Sequence, residues 1–196
     1  LALTVGSIAQ KVRITQERHG DENIKSPIAQ ENQPSPFTRT GVGINGMVKP
    51  ELVEYGGNLI LSEKFGRITE DIGGKIALLN NDTTENIIQY DYGSSYATSK
   101  VAHLAGKVAN EYPQMSANFI KNLLLVGADH PFEPTEEFYN AHDKNTAEKK
   151  HLSLCGYGLS DYDRAINSYN NRAVLRKKKK ISLNQLKIYS LDLPDV

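Results

Sequence analysis

Tyr92-Gly93-Ser94-Ser95-Tyr96-Ala97-Thr98-Ser99 leads directly into Lys100-Val101-Ala102-His103-Leu104-Ala105-Gly106. The first half has the small residues of a tight turn. In the second, Val101, Leu104, Ala105 and Val108 recur at helical spacing, with Ala102 and Ala109 beside them. This pattern puts Ser95 at the first position of an alanine-rich apolar helix. A hydroxyl there sits among backbone N–H groups that lack intrahelical partners, at the positive end of the helix dipole. Such groups can hold the oxyanion that forms when a hydroxyl attacks a carbonyl. Taken alone, a Gly-Ser-Ser turn is more often a plain helix cap than a nucleophile.

Upstream, Ile87 to Tyr92 reads as extended and runs into the serine turn. Asn80-Asn81-Asp82 is a turn, Lys75 to Leu79 a brief apolar piece and Gly66 to Gly74 turn-rich. Asn58 to Phe65 reads as a short strand. Another strand around Leu52 and Val53 is closed by the pair Gly56-Gly57. Gln16 to Pro36 is polar, with Pro27, Pro34 and several charges, and reads as an exposed loop or insertion. Leu1 to Ala9 is a short apolar run of the kind buried on both faces in the middle of a parallel sheet. Such a strand needs neighbours on both sides, so the chain, which begins with Leu1, looks cut from something longer.

Downstream, the first helix ends at Pro113. A second is capped by Ser116, carries Phe119, Ile120, Leu123, Leu124 and Val126, and ends at Gly127. Asp129 to Leu152 is polar. Cys155-Gly156-Tyr157-Gly158-Leu159 is a tight apolar turn, after which Ser160 is expected to cap a helix with Asp161 and Asp163 in its first turn. Val174–Arg176 and Ile181–Leu191 read as two strands joined through Lys177–Lys180. That lysine run reads as a solvated hairpin tip rather than a phosphate-binding patch.

The 196 residues suffice for one domain, or one domain and part of another, and 39% hydrophobic content supports a real core. Lys plus Arg and Asp plus Glu are both 23, so nothing in the overall charge draws the chain to nucleic acid or an acidic membrane. No apolar run approaches the length of a membrane span. Cys155 is the one cysteine, which excludes an intrachain disulfide and fits a reducing, cytoplasmic compartment without excluding secretion.

Three segments together resemble a known family. Gly93-Ser94-Ser95-Tyr96-Ala97-Thr98-Ser99 with Val101-Ala102 is similar to the Gly-Thr-Ser-x-Ala-x-Pro motif of subtilisin-like serine proteases, the subtilases or peptidase S8 family. Leu3-Thr4-Val5-Gly6-Ser7-Ile8 is similar to that family's Val-Gly-Ala-Val strand. Lys49-Pro50-Glu51-Leu52-Val53-Glu54-Tyr55-Gly56-Gly57 is similar to its Lys-Pro-Asp-Val-x-Ala-Pro-Gly segment. The order is also the family's. The resemblance covers roughly Leu1 to Val126, and Gly156-Tyr157-Gly158 with the acidic helix after it is similar to the end of many subtilase domains.

The resemblance implies an α/β chain: part of a three-layer subtilisin-like fold with a mostly parallel sheet over residues 1–172, then the start of a β-rich extension over 173–196. It makes Ser95 the counterpart of the nucleophile, with Gly93 and Ser94 supporting the turn and the oxyanion hole. The implied reaction is peptide-bond hydrolysis through a serine acyl-enzyme, on a polypeptide substrate and without a cofactor. The family's order is Asp, His, Ser, with an oxyanion asparagine between the last two. All three partners would precede Leu1, in a missing N-terminal part of the same protein, and this chain alone is expected to be inactive. Ser94 stands where the family has threonine, Ser99 where it has proline, Lys100 where many members have histidine, and Tyr55 where it has proline.

Other chemistries fit less well. His103 lies two helical turns past Ser95, rides with the helix instead of facing the hydroxyl, and is expected to take a buried or helix-packing role. His130, His142 and His151 follow the serine, an order suited to an α/β-hydrolase, but Ala97 breaks the Gly-x-Ser-x-Gly elbow. His142, His151 and Cys155 are zinc-ligand types at no zinc-motif spacing, and read as loop histidines and a core thiol. Asp129, Glu133, Glu136 and Glu137 suggest calcium, which subtilases often bind, but show no EF-hand spacing. Gly73-Gly74-Lys75 is too short for a P-loop. The competing class is a catalytically silent scaffold or interaction module that keeps the fold.

Overall fold

The computed structural model describes residues 2–14, 24–82, 84–168, 180–188 and 190. The strands are β1 (Val5–Ile8), β2 (Lys25–Pro27), β3 (Gly41–Val42), β4 (Val48–Lys49), β5 (Leu52–Tyr55), β6 (Ile60–Ser62), β7 (Arg67–Thr69), β8 (Ile76–Leu79) and β9 (Ile88–Asp91). The helices α1 (Ser94–Glu111) and α2 (Ala117–Val126) follow, then β10 (Ala128–Asp129), α3 (Glu136–Tyr139), α4 (Lys144–Cys155), β11 (Leu159–Ser160) and α5 (Tyr162–Ile166).

The central sheet runs β1-β5-β11-β10. β1 and β5 are parallel, with Val5 opposite Leu52 and Ile8 opposite Tyr55, and β11 joins β5 in parallel through Leu159 and Val53. Only β10 runs antiparallel, at the edge. Side chains alternate across such a sheet. Leu52 and Val5 therefore point to one face, where Val101 and Val108 of α1, Ile120, Leu123 and Leu124 of α2, and Ala165 of α5 close the larger core. Ile8 and Val53 point to the other and pack on Cys155 and Leu154 of α4. Helices thus cover both faces of a mostly parallel sheet, the layering expected from the sequence.

The run Leu1 to Ala9 narrows to the strand Val5–Ile8, and it is not short of neighbours as expected. β5 lies on one side. On the other, Ala9 N donates to Gln33 O, Asn32 N to Ala9 O and Ser35 N to Ser7 O, while Ile8 bridges Pro34. The described part of the stretch from Gln16 to Pro36 is therefore not a plain exposed loop: β2 pairs with β6, and Ala29 and Ser35 are buried. The turn-rich reading of Gly66–Gly74 also needs correction, since β7 pairs antiparallel with β6. β8 and β9 form a further hairpin that leads into the serine turn.

One helix start falls where the sequence put it. Ser116 accepts from Phe119 N and caps α2, and Gly127 closes it. The cap of α5 does not: Asp161 accepts from Arg164 N, while Ser160 donates its hydroxyl to Leu124 O. The polar stretch after Asp129 holds α3 and α4, with Thr135 and Asp143 as caps. Beyond α5, the strand expected over Ile181–Leu191 is not formed in its described part, where Leu183 and Asn184 make a turn. The strand Val174–Arg176, Lys177 to Lys179 and the boundary at residue 172 lie outside the described residues.

Candidate active site

β1 and β5 end side by side, and the chain returns to that edge through β9. Parallel α/β sheets place their sites just outside the carboxyl ends of the strands. The three segments singled out in the sequence meet there. Gly56 N donates to Ile8 O at 3.2 Å, and Gly93 N donates to Gly56 O at 2.8 Å. A Cβ on Gly56 would overlap Ser7 Oγ and lie 2.7 Å from Gly93 O. A Cβ on Gly57, at φ +102°, would lie 2.8 Å from Tyr92 Cβ. The close approach of strand end and serine turn therefore depends on the glycines at 56 and 57. Gly93 itself is roomy: the nearest atom to a Cβ there would be 3.6 Å away.

Gly93 is the N-cap of α1, so Ser94 holds the first helical position and Ser95 the second, one residue later than expected. Gly93 O accepts from Tyr96 N, whereas Ser94 N and Ser95 N have no acceptor among the described residues. Both side chains are exposed, and neither hydroxyl has a hydrogen-bond partner among those residues. Thr98 and Ser99 instead turn their hydroxyls back onto Ser94 O and Ser95 O. The start of α1 is thus a free hydroxyl beside two free N–H groups at the positive end of an 18-residue helix, a setting suited to developing negative charge.

Two side chains of α1 brace this turn, and neither was singled out as doing so from the sequence. The Tyr96 hydroxyl donates to Asp91 Oδ2 at 2.6 Å, which together with the N–H of Tyr92 holds the Asp91 carboxyl below its usual range and the Tyr96 phenol above its own. Lys100 Nζ donates to Tyr55 O at 3.0 Å and lies 5.8 Å from the Tyr55 ring centre. Burial raises the pKa of Glu54, against the N–H of Tyr55 and the charge of Lys100. The available signal was the spacing of Tyr96 and Lys100, four apart and so on one helix face. Beside them Ser99, Lys100, His103 and Lys107 form one wall of a groove of about 520 Å³, with Glu54 and Asp161 also lining it.

The histidines lie elsewhere. His103 is exposed on α1, not packed as expected, and eight residues along a helix set it about 12 Å from Ser95. His151 is buried on α4, where Nδ1 meets the Tyr139 hydroxyl at 2.7 Å and Nε2 meets His130 Nδ1 at 2.9 Å. Burial, and then the nearby His130, lower its pKa to about 4. Burial pushes the Cys155 thiol up to about 12. His151 is therefore a buried helix residue in contact with the exposed His130, not the loop histidine expected.

The acidic residues considered for calcium are scattered. Asp129 pairs with Arg164, and Glu136 and Glu137 occupy the first turn of α3. Among the described residues no three His, Cys, Asp or Glu side chains form a group that could hold a metal ion. Gly73 and Gly74 lie in a short 3-10 turn capped by Asp71.

Comparison with known proteins bears on the family of the chain. The model of the family described as Subtilase family, Peptidase_S8, matches residues 1–158. The chain belongs to the subtilase family. The subtilase match stops short of β11 and α5, yet both pack on the sheet and α2. The chain is also similar to a protein of Sinorhizobium fredii (strain NBRC 101917 / NGR234) named "Uncharacterized protein y4bN": 32% identity over 200 residues, covering 99% of this chain and 44% of that protein. The chain thus spans under half the length of the curated relative it matches.

Proposed function

We propose that Ser95 is the nucleophile of a serine endopeptidase, with the N–H groups at the start of α1 serving as oxyanion donors. The observation that carries this reading is the exposed Ser95 hydroxyl, unpartnered among the described residues, on a turn tied to the sheet by Gly93 N and Gly56 O. In the reaction Ser95 Oγ attacks the scissile carbonyl carbon and its proton passes to a base. The tetrahedral oxyanion rests on backbone N–H groups, and collapse expels the protonated amine and leaves an acyl-serine for water to hydrolyse. The base, the acid that orients it and the oxyanion asparagine are assigned to segments encoded before Leu1, as the family's order implies. Peptide is the substrate class, and no cofactor enters the chemistry. A cytoplasmic setting remains part of this reading.

The test is labelling of the full-length protein with a fluorophosphonate probe, alongside hydrolysis of an unstructured protein substrate. Labelling at Ser95, lost together with hydrolysis in Ser95→Ala, supports the proposal. Labelling that survives this substitution removes Ser95 from the role. A second reading, a silent scaffold of the same fold, is favoured by one observation: no described histidine is hydrogen-bonded to Ser95. Replacement of both the Asp-Thr/Ser-Gly and His-Gly-Thr segments upstream would decide for the scaffold.

A further inference from the structure

We infer that Lys100 is a positioning residue for the serine turn, acting as a clamp that holds the first two turns of α1 against the carboxyl end of β5. The inference rests on Ser95 being the nucleophile but is argued from separate contacts. On the sheet side, the serine turn is attached through the loop at residues 55–57. Gly56 O receives Gly93 N at 2.8 Å, and neither Gly56 nor Gly57 has space for a side chain. Whatever fixes that loop fixes the turn. Lys100 crosses from α1 to the same loop and donates to Tyr55 O at 3.0 Å, the carbonyl one residue before the one that holds Gly93.

The loop is thus gripped at two successive carbonyls, by the backbone at the cap of α1 and by a side chain nearly two turns along it. The ammonium also lies 5.8 Å from the centre of the Tyr55 ring, which favours a cation. Half-buried Glu54, on the same strand end, adds an attraction for the same charge. Tyr55 is held from its far side as well, since its hydroxyl donates to Asn32 Oδ1 at 2.7 Å. From the other direction, Tyr96 anchors the turn to Asp91. A helix carrying the reacting hydroxyl is therefore braced from two sides, on β9 through Tyr96 and on β5 through Lys100. Small displacements of a nucleophile cost rate steeply, because attack requires near-contact geometry.

A guanidinium can make the same hydrogen bond and cationic ring contact, whereas a methionine of similar length has neither an N–H to donate nor a charge. In the full-length protein, Lys100→Met is expected to slow fluorophosphonate labelling about five- to tenfold, and Lys100→Arg to restore it to within about twofold. Lys107→Met, which removes an ammonium 4.1 Å from the Tyr162 ring centre further along α1, serves as the control and is expected to label like the wild type. Amide hydrogen exchange at Gly93 and Tyr96 gives a readout independent of chemistry and is expected to quicken severalfold in Lys100→Met alone. Equal labelling rates in wild type and Lys100→Met overturn the clamp, as does a loss that Lys100→Arg fails to restore. If the wild type does not label, the nucleophile reading fails by itself, and exchange decides the clamp: faster exchange in Lys100→Met upholds it and unchanged exchange overturns it.

Discussion

At the scale of single residues, the two glycines of the junction carry opposite burdens. Gly56 has no room for a side chain between Ser7 and Gly93, while a Cβ on Gly93 would meet Tyr96 only at ordinary contact distance, 3.6 Å. Gly56→Ala is expected to cost about 1–3 kcal/mol in urea unfolding and to slow labelling of Ser95, since the serine turn must be pushed off the strand. Gly93→Ala is expected to cost less than about 1 kcal/mol. Glu51 is a second residue with a large stake. Its carboxylate accepts from Thr4 N and Thr4 Oγ1 and pairs with Lys49 and Lys121, joining the residue just before β1 to β4 and α2. Burial pushes its pKa up, but the hydrogen bonds from Lys121, Lys49 and Thr4 outweigh it and hold the carboxyl at about 2. A carboxyl lowered by folding stabilises above its unfolded value of about 4.3, and that share is lost as pH falls toward 2. Glu51→Gln is therefore expected to lower stability by about 1–3 kcal/mol at pH 7 and to flatten the acid limb of an unfolding curve.

At the scale of elements, what was legible depended on whether burial and periodicity agreed. α1 and α2 declare themselves because their buried residues are apolar and evenly spaced. The helix α4 does not. Its buried residues are Ala147, His151 and Cys155, one stripe at intervals of four, but a histidine sits in the middle of it and lysines surround it. Three-residue strands such as β7 are too short for alternation to register, and Arg67 and Ile68 are exposed. The site was legible in part: the motif located Ser95, but Tyr96, Lys100 and Asp91 form a brace only once β5 and β9 lie beside α1. The buried His151 makes its own prediction. His151 is held neutral, with a pKa near 4 against about 6.5 unfolded, so the unfolded chain binds the extra proton between those values. Stability is thus expected to fall as pH drops from 6.5 to 4, by up to about 3 kcal/mol. Urea unfolding at a series of pH values checks this, with a shallower slope in His151→Gln.

At the scale of the whole molecule, strand edges and apolar strand faces are guarded unevenly. The residues around Gln33 and Ser35 shield one edge of β1, whereas the β8–β9 hairpin presents Leu79 and Ile88 to solvent at 82% and 52% exposure. Exposed apolar hairpins pair with other chains unless something covers them. The 196-residue chain alone is accordingly expected to self-associate at micromolar concentration, and the pair Leu79→Lys, Ile88→Lys to reduce it, as read by light scattering. No helix among the described residues is long and apolar enough to cross a membrane.

The bond from Gly93 N to Gly56 O joins two main chains. That bond needs glycine at residue 56 but uses no side-chain atom of residues 94 or 95, so the pose of the turn and the reactivity of the turn are inherited separately. Ser94, Ser95 and Ser99 can each be exchanged while the helix still starts at the same place. If Ser95 is the nucleophile proposed above, a lineage with this architecture can lose hydrolysis through one codon while keeping the main-chain junction, and regain it as cheaply. Resemblance of backbone at this junction is therefore a poor guide to activity among relatives, and the identity of residue 95 is the letter to read first.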